Sequence, residues 1–548
     1  SIWNNNVPNN TGHRNNISLQ SGGYVIVLSD ASGCSVYDTV VIEDLVGSKY
    51  YVSTTGSDVN SGGYTDPLST IEEALNRSCD GDSIILFDGE YFENIDFTST
   101  YLPYVTIASE FIENGIQSHI ANTIVNGMDE DPVFDIMSHN SSFDTIIVAG
   151  FTITNGKASN WYGGGGIAID QSSVALKNMV VSGNRSGQRG GGIGMAYGRL
   201  NLWNTVITDN IAQGEGGGIS SYHGYSLDGH NSTVIENNKS SSDNGGGISF
   251  SQGHWNSSED MFIRGFVVKN NSSYYRGGGV NINNWAQNTE VFMLEDMTIT
   301  NNRSTNGDAG GLYLENNGEE AIIQNVIVAF NKSNGAGGMT VNNTDLDIIH
   351  STIYKNDVLN ATSSNDQIVL RNNANVLFLN SAVGGQSNLG TSIAHTFYLE
   401  DYDTTCDLTV QNSIVSGGIN LIDNPYSSTV TGSPIGQSLY LLDPSQGDFM
   451  LSPVSQGLGS GATSFSNIVM PFIDINGVSR PNPTGSNPDI GAVESPLDTA
   501  EFGAAYEVRD NIACDPTFGR LKVIPLNGSG SYKYELDDIT GTATFSIQ

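Results

Sequence analysis

The chain has 548 residues, with 58 acidic and 21 basic side chains and a net charge of −37. That balance keeps a large molecule soluble and argues against nucleic acid and anionic membrane surfaces as partners. No apolar stretch reaches the roughly 18–20 residues of a membrane span, so the chain carries no candidate membrane helix, and Ser1 reads as an internal or processed start.

Taken in chain order, residues 1–47 stand apart. Ser21–Val36 and Asp38–Ile42 are short apolar runs broken by Gly and Ser, read as the closing half of a small β-sandwich. Residues 48–97 form an opening cap. Tyr50-Tyr51-Val52 is a strand, Gly56–Pro67 a turn-rich loop, and Ser69–Arg77 a short helix with a Ser/Thr start and an early Glu pair. Such a helix would hide the open edge of the first coil.

Residues 98–447 carry the repeat. A glycine phrase recurs at Gly163–Ile167, Gly190–Ile193, Gly216–Ile219, Gly245–Ile248, Gly277–Val280, Gly310–Leu312 and Gly337–Met339. Its terminal apolar residue recurs at steps of 26, 26, 29, 32, 32 and 27. A second register keeps pace. Asn184, Asn210, Asn238, Asn271, Asn302, Asn331 and Asn356 each follow a short β-branched run, and Asn178, Asn204 and Asn325 lie six residues before a member of that series. Runs this short and this β-branched are strands. Gly and Asn tolerate the left-handed backbone of tight corners. Strands that pair one period later must be parallel, and Asn side chains stacked in register can bond along a ladder. The fold class is therefore all-β: a right-handed parallel β-helix (solenoid) with partial β-sandwich modules at both ends. Handedness follows the rule for parallel crossovers. Three strands per coil and about 15 coils follow if residues 49–495 all coil at about 27–30 residues each. Residues 448–496 read as an exit segment, and 497–548 as the start of a following sandwich module.

Four resemblances attach to these residues. Val180–Ile193 and Val206–Ile219 resemble the repeat of chlamydial polymorphic outer-membrane proteins, which implies surface display. Tyr50–Asp58, Thr70–Leu75 and Gly81–Tyr91 resemble the N-terminal region of pectate-lyase-like β-helix proteins. Ile473–Pro481 and Asp489–Glu494 resemble the closing segment of secreted Bacteroidota β-helix proteins. Asp30–Cys34 and Cys514-Asp515-Pro516 resemble the two ends of repeat modules in gliding-motility adhesins of that phylum. The last resemblance implies that Cys34 and Cys514 pair with cysteines of neighbouring modules of the same polypeptide, and that the protein leaves the cell by type IX secretion. Asp-Ser/Thr-apolar triplets resemble the phylum's O-glycosylation sequence and make Thr39, Thr145, Thr404 and Thr499 candidate modified residues.

Chemistry is harder to place. Asn343-Thr344-Asp345 matches one phrase of the polygalacturonase constellation, but the others are missing, so no catalytic residue is assigned. Abundant carboxylates suit calcium, yet no calcium loop appears and no metal site is assigned. The candidate ligand-binding set is aromatic: Trp161, Tyr162, Tyr197, Tyr222, His223, Tyr225, His254, Trp255, Tyr274, Tyr275 and Trp285. These rings lie beside the glycine phrases in consecutive coils, where flat rings in a row suit sugars and Glu215, Asp228, Asp243 or Arg276 supply hydrogen bonds. The structural alternative is that the rings fold back over the outer sheet. The expected function is a segment of an extracellular adhesin or stalk that touches glycans or other surfaces. The alternatives are a polysaccharide lyase or glycoside hydrolase, and a plain spacer rod.

Overall fold

The computed structural model describes residues 48–97, 104–137, 145–161, 163–224, 226–252, 261–284, 292–316, 320–359, 367–385, 395–400, 405–423 and 428–500, together with strands 22–29, 35–42, 503–509, 520–526, 534–537 and 544–547. The six outlying strands form three antiparallel pairs. Cys34 and Cys514 lie outside the described residues.

The glycine phrase sets the register of the whole molecule. Ile167, Ile193, Ile219, Ile248, Val280, Leu312 and Met339 are direct Cα partners in successive parallel strands. They belong to a first face of twelve stacked strands, from Ile95–Asp96 to Ile422–Asp423. All seven are at most 1% exposed. Burial of each aliphatic side chain contributes on the order of 1.5–3 kcal/mol, so the solenoid is held by a continuous apolar column.

From the first face each coil turns onto a long sheet of 22 strands and then onto a corner sheet of eight two-residue strands. One coil thus runs Ile167–Asp170, Ser173–Lys177, Val180–Ser182 and Arg185–Ser186. That is four strands rather than three, because a left-handed residue breaks the long sheet's run in two. Asn178, Asn204, Asn325, Asn380 and Asn412 occupy this break with φ between 45° and 53°. A short polar side chain tolerates that conformation best after Gly.

The second Asn register is a buried ladder. The Nδ2 of each of Asn184, Asn210, Asn238, Asn271, Asn302 and Asn331 donates to the Oδ1 of the next at 3.0 Å. Asn356 closes the series by donating to Gln367 Oε1 at 3.3 Å. The last Gly of each phrase packs on this ladder. A Cβ at Gly218 would lie 2.7 Å from the Gly247 carbonyl oxygen and 3.0 Å from Asn238 Nδ2. Glycine and asparagine are therefore two halves of one packing unit.

The ends differ. At the N-terminal end, helix Ile71–Arg77 starts at Thr70, whose hydroxyl accepts from Glu73 N, and the Glu93 carboxylate accepts from Ile71 N and Glu72 N. Its buried Ile71, Ala74 and Leu75 lie over the first strands. At the other end, the chain after about residue 433 adds no coil to the first face. It folds back along the flank, where Arg480 is buried against Asn325 and Ala462 bonds Asn380 in both directions. This return accounts for twelve first-face strands in place of about 15 coils. Among the described residues no helix is long and apolar enough to cross a membrane.

Candidate functional site

The position four residues before the terminal apolar residue of the phrase sits at the corner leading onto the first face. In five successive coils it is filled by Arg189, Glu215, Asn244, Arg276 and Asp308. The following residues bind the corner in parallel register. Gly190 N donates to Glu215 O at 2.9 Å, Gly216 N to Asn244 O at 3.1 Å, Gly245 N to Arg276 O at 2.9 Å and Gly277 N to Asp308 O at 3.2 Å. The five side chains thus stand in line, one per coil, at the roughly 4.8 Å spacing of neighbouring strands.

Rings flank both ends of this line. The Arg189 guanidinium lies 4.9 Å from the ring centres of both Trp161 and Tyr222, which themselves meet edge to face at 4.8 Å. Arg189 Nη2 is 3.5 Å from Glu215 Oε2. Arg189 Nη1 and Glu215 Oε2 are buried without a hydrogen-bond partner. Burial pushes the Glu215 carboxyl up, partly offset by Arg189. Asp243 is also raised, by burial first, with Arg189 and Arg276 opposing. Its carbonyl accepts from Tyr274 N and Tyr275 N at 3.1 Å each, which places that edge-to-face pair of rings.

Beyond Asp243 the line opens into a cleft of about 360 Å³ lined by Asn244, Tyr275, Arg276, Gly307 and Asp308. Tyr275 is 50% exposed. Asn244 Oδ1 accepts from Arg276 N at 3.0 Å. The Arg276 guanidinium lies over buried Tyr313 at 4.6 Å and 3.5 Å from Glu315 Oε2. Burial opposes the charge on Arg371, but contacts with Asp308 and Glu400 outweigh it and hold the guanidinium firmly charged. The arrangement offers donors, acceptors and exposed ring faces along one side of the molecule.

The sequence-selected rings fall into two groups. Tyr274 and Tyr275 border the cleft, while Trp161 and Tyr222 join Arg189. Tyr197 and His223, stacked at 4.8 Å with left-handed φ of 50° and 52°, extend the second group, because the His223 ring meets that of Tyr222 edge to face at 3.9 Å. Asn343 holds the same kind of corner with φ of 46°, which gives Asn343-Thr344-Asp345 a structural place. Asp228 is far along the coil from the cleft, on the long sheet, bonded by Arg264 at 2.9 and 2.8 Å. Tyr162, Tyr225, His254, Trp255, Trp285 and Thr404 lie outside the described residues. Thr39 is on strand Ser35–Ile42, Thr145 opens a strand with its hydroxyl 3.0 Å from Ser173 Oγ, and Thr499 lies in irregular chain. Arg189, Asn244 and Asp308 were not among the sequence candidates. The signal was present, since a polar residue stands four before the terminal apolar residue in five successive coils.

One group with metal-ligating chemistry, Asp88, Glu110 and His119, has its ligand atoms within 4.8 Å of one another near the N-terminal end. His119 Nδ1 is 2.5 Å from Asp88 Oδ1. Asn122 Nδ2 donates to Asp88 Oδ2 at 3.2 Å, so side chains of this chain already bond that carboxylate.

No protein family and no curated protein matches the sequence. Among solved structures the chain is similar to the complex of XylC with xylose, at 10% identity and a TM-score of 0.46 over 82% of this chain and 99% of that one. It is also similar to the pectate lyase Pel9A, at 14% identity and a TM-score of 0.38 over 82% and 96%. A rhamnogalacturonan lyase follows at 15% identity and a TM-score of 0.27 over 82% and 96%. The strand register described above establishes the parallel β-helix without them.

Proposed function

We propose that this chain is an extracellular carbohydrate-binding solenoid whose binding face is the polar line Arg189–Glu215–Asn244–Arg276–Asp308 and the rings beside it. One observation carries the reading. An open cleft of about 360 Å³ presents a half-exposed tyrosine beside a guanidinium, a carboxamide and a carboxylate. A sugar offers an apolar ring face and hydroxyls that both donate and accept, which is the complement of that set. Guanidiniums and carboxylates are equal along the line, two of each, which favours neutral sugars there. The test is a glycan array probed with wild type, Tyr275→Ala and Arg276→Ala. Binding lost in both variants supports the reading, and binding unchanged in both removes the cleft from it.

A second reading, glycoside hydrolysis, is favoured by Glu215 and Asp243, two raised carboxyls in adjacent coils that share the Arg189 guanidinium as a neighbour. Glycosidases set two carboxyls apart in their protonation to serve as acid and as base or nucleophile. Reducing ends released from a bound glycan by wild type, but not by Glu215→Gln or Asp243→Asn, would establish it. A bound glycan left intact by wild type would leave a binding module.

A further inference from the structure

The corner sheet orders charge in a way the net composition hides. Its first positions, Lys157, Arg185, Ile211, Lys239, Ser272, Arg303, Lys332 and Asp357, are Cα partners in succession. Five of the eight are basic, in a chain with only 21 Lys and Arg among 58 acidic residues. All five are exposed, while the residue after each turns into the core. From Lys157 to Lys332 the row crosses six coil steps, roughly 29 Å at the spacing of neighbouring strands.

Internal neutralisation does not explain this row. Like charges directly opposite one another on neighbouring strands are unfavourable. Elsewhere the solenoid alternates them. Arg264 stands between Asp228 and Glu295 with bonds to both, and Lys269 lies 3.1 Å from Glu236. On the corner sheet, by contrast, Lys157 is partnered by Arg185, and Arg303 by Lys332. Local compensation sits at the two ends, where Arg185 Nε is 3.2 Å from Asp129 Oδ1, Lys157 Nζ donates to the Asp129 carbonyl at 3.4 Å, and Lys332 faces Asp357 on the next strand. Lys239, Arg303 and Lys332 form no ion pair among the described residues.

We infer that the corner sheet is a docking ridge for an extended acidic polysaccharide, whose regularly spaced carboxylates or sulfates pair with the row of cations. The ridge is one residue wide and straight, so it matches a single extended chain. Duplex nucleic acid presents two strands of denser charge, and the field of a molecule with a net charge of −37 repels it at long range. No cation of the ridge lines the cleft, so either site can stand without the other.

The experiment is affinity electrophoresis of the whole chain through gels containing polygalacturonate, chondroitin sulfate or neutral dextran, with oligo-dT in a parallel titration. Wild type should be retarded by one or both acidic polymers and not by dextran, and the two acidic arms separate carboxylate from sulfate. Lys239→Gln/Arg303→Gln/Lys332→Gln should weaken binding about tenfold or more. Its log–log salt slope should fall by about 2, from three lost contacts at about 0.7 each. Lys239→Arg/Arg303→Lys/Lys332→Arg should bind as wild type. Lys49→Gln/Lys177→Gln/Lys269→Gln, of equal net charge but away from the ridge, should also bind as wild type. The inference is overturned if wild type is not retarded, if the ridge triple binds unchanged, if the off-ridge triple loses as much, or if oligo-dT binds more tightly than either polysaccharide.

Discussion

Replacing Asn271 with alanine should cut the solenoid at one rung. Its carboxamide takes part in five hydrogen bonds. It accepts from Asn238 N at 2.9 Å and Asn238 Nδ2 at 3.0 Å, and donates to Ile235 O, Lys269 O and Asn302 Oδ1 at 2.9, 3.0 and 3.0 Å. Asn271 is 1% exposed, so water does not replace these partners. Each bond made is worth about 1 kcal/mol net, and each buried group left without a partner costs about 1–3 kcal/mol. Some of the five share a hydrogen or a lone pair, so the sum is not additive, and about 3–5 kcal/mol is expected. In a stack where each coil touches only its neighbours, the loss is local. Hydrogen exchange read by mass spectrometry should show the amides of Asn238, Asn271 and Asn302 opening about 10²- to 4 × 10³-fold faster. Coils near Lys49–Val52 should be unchanged. The control is Asn178→Ala at an exposed corner, where the side-chain bond from Asn204 spans 2.7 Å and φ is 53°. It should cost about 1–2 kcal/mol through the left-handed backbone alone, and Asn178→Gly should cost less. Equal effects at Asn271 and Asn178, or a uniform effect along the chain, would refute the ladder argument.

Three other outcomes follow from the same structure. Gly218→Ala forces a Cβ against the Gly247 carbonyl and Asn238 Nδ2 and should destabilise by about 2 kcal/mol or more, measured by urea unfolding, whereas Gly477→Ala meets open space and pays only its φ of 80°. Arg480→Ala strips Glu494 of a buried partner at 2.9 Å and should cost about 3–5 kcal/mol, read as new protease cleavage between residues 448 and 496 before the coils are cut. The same cluster should give stability a pH slope. Burial pushes Asp489 up to about 7, so the folded state holds a proton that the unfolded chain releases, and stability falls as pH rises from about 4 through 7. Glu494 is raised by burial in the same sense, while burial holds His350 neutral well below 6.5 and acts oppositely, lowering stability only below that pH. Between pH 6.5 and 8 the unfolding midpoint should therefore fall as pH rises, and Asp489→Asn should flatten that slope; a midpoint rising over this window contradicts the assignment.

The parts of the fold that repeat were legible in the sequence, because one physical demand recurs at each coil. The apolar residue ending each glycine phrase gave the strand register, and the Asn that follows each β-branched run gave the ladder. Gln367 was not legible as its terminus, since it breaks the residue pattern while keeping the carboxamide. The flank-packed return of residues 448–496 was not legible either. It depends on Asn325 and Asn380 binding chain 148 and 82 residues away. For the site, ring positions were visible but their faces were not. Tyr197 and His223 look equivalent to Tyr222 in sequence. A left-handed corner at the end of the first-face strand stacks them on each other, with His223 edge to face with Tyr222 at 3.9 Å, while Trp161 reaches across Arg189 to Tyr222.

The most direct test of carbohydrate recognition is a crystal of the chain soaked with the glycan that binds most tightly on the array. A sugar ring is expected against Tyr275, bonded to Arg276 and Asn244 within the Asp308 cleft. A sugar ordered elsewhere on the solenoid, with that cleft unoccupied at a saturating concentration, would contradict it.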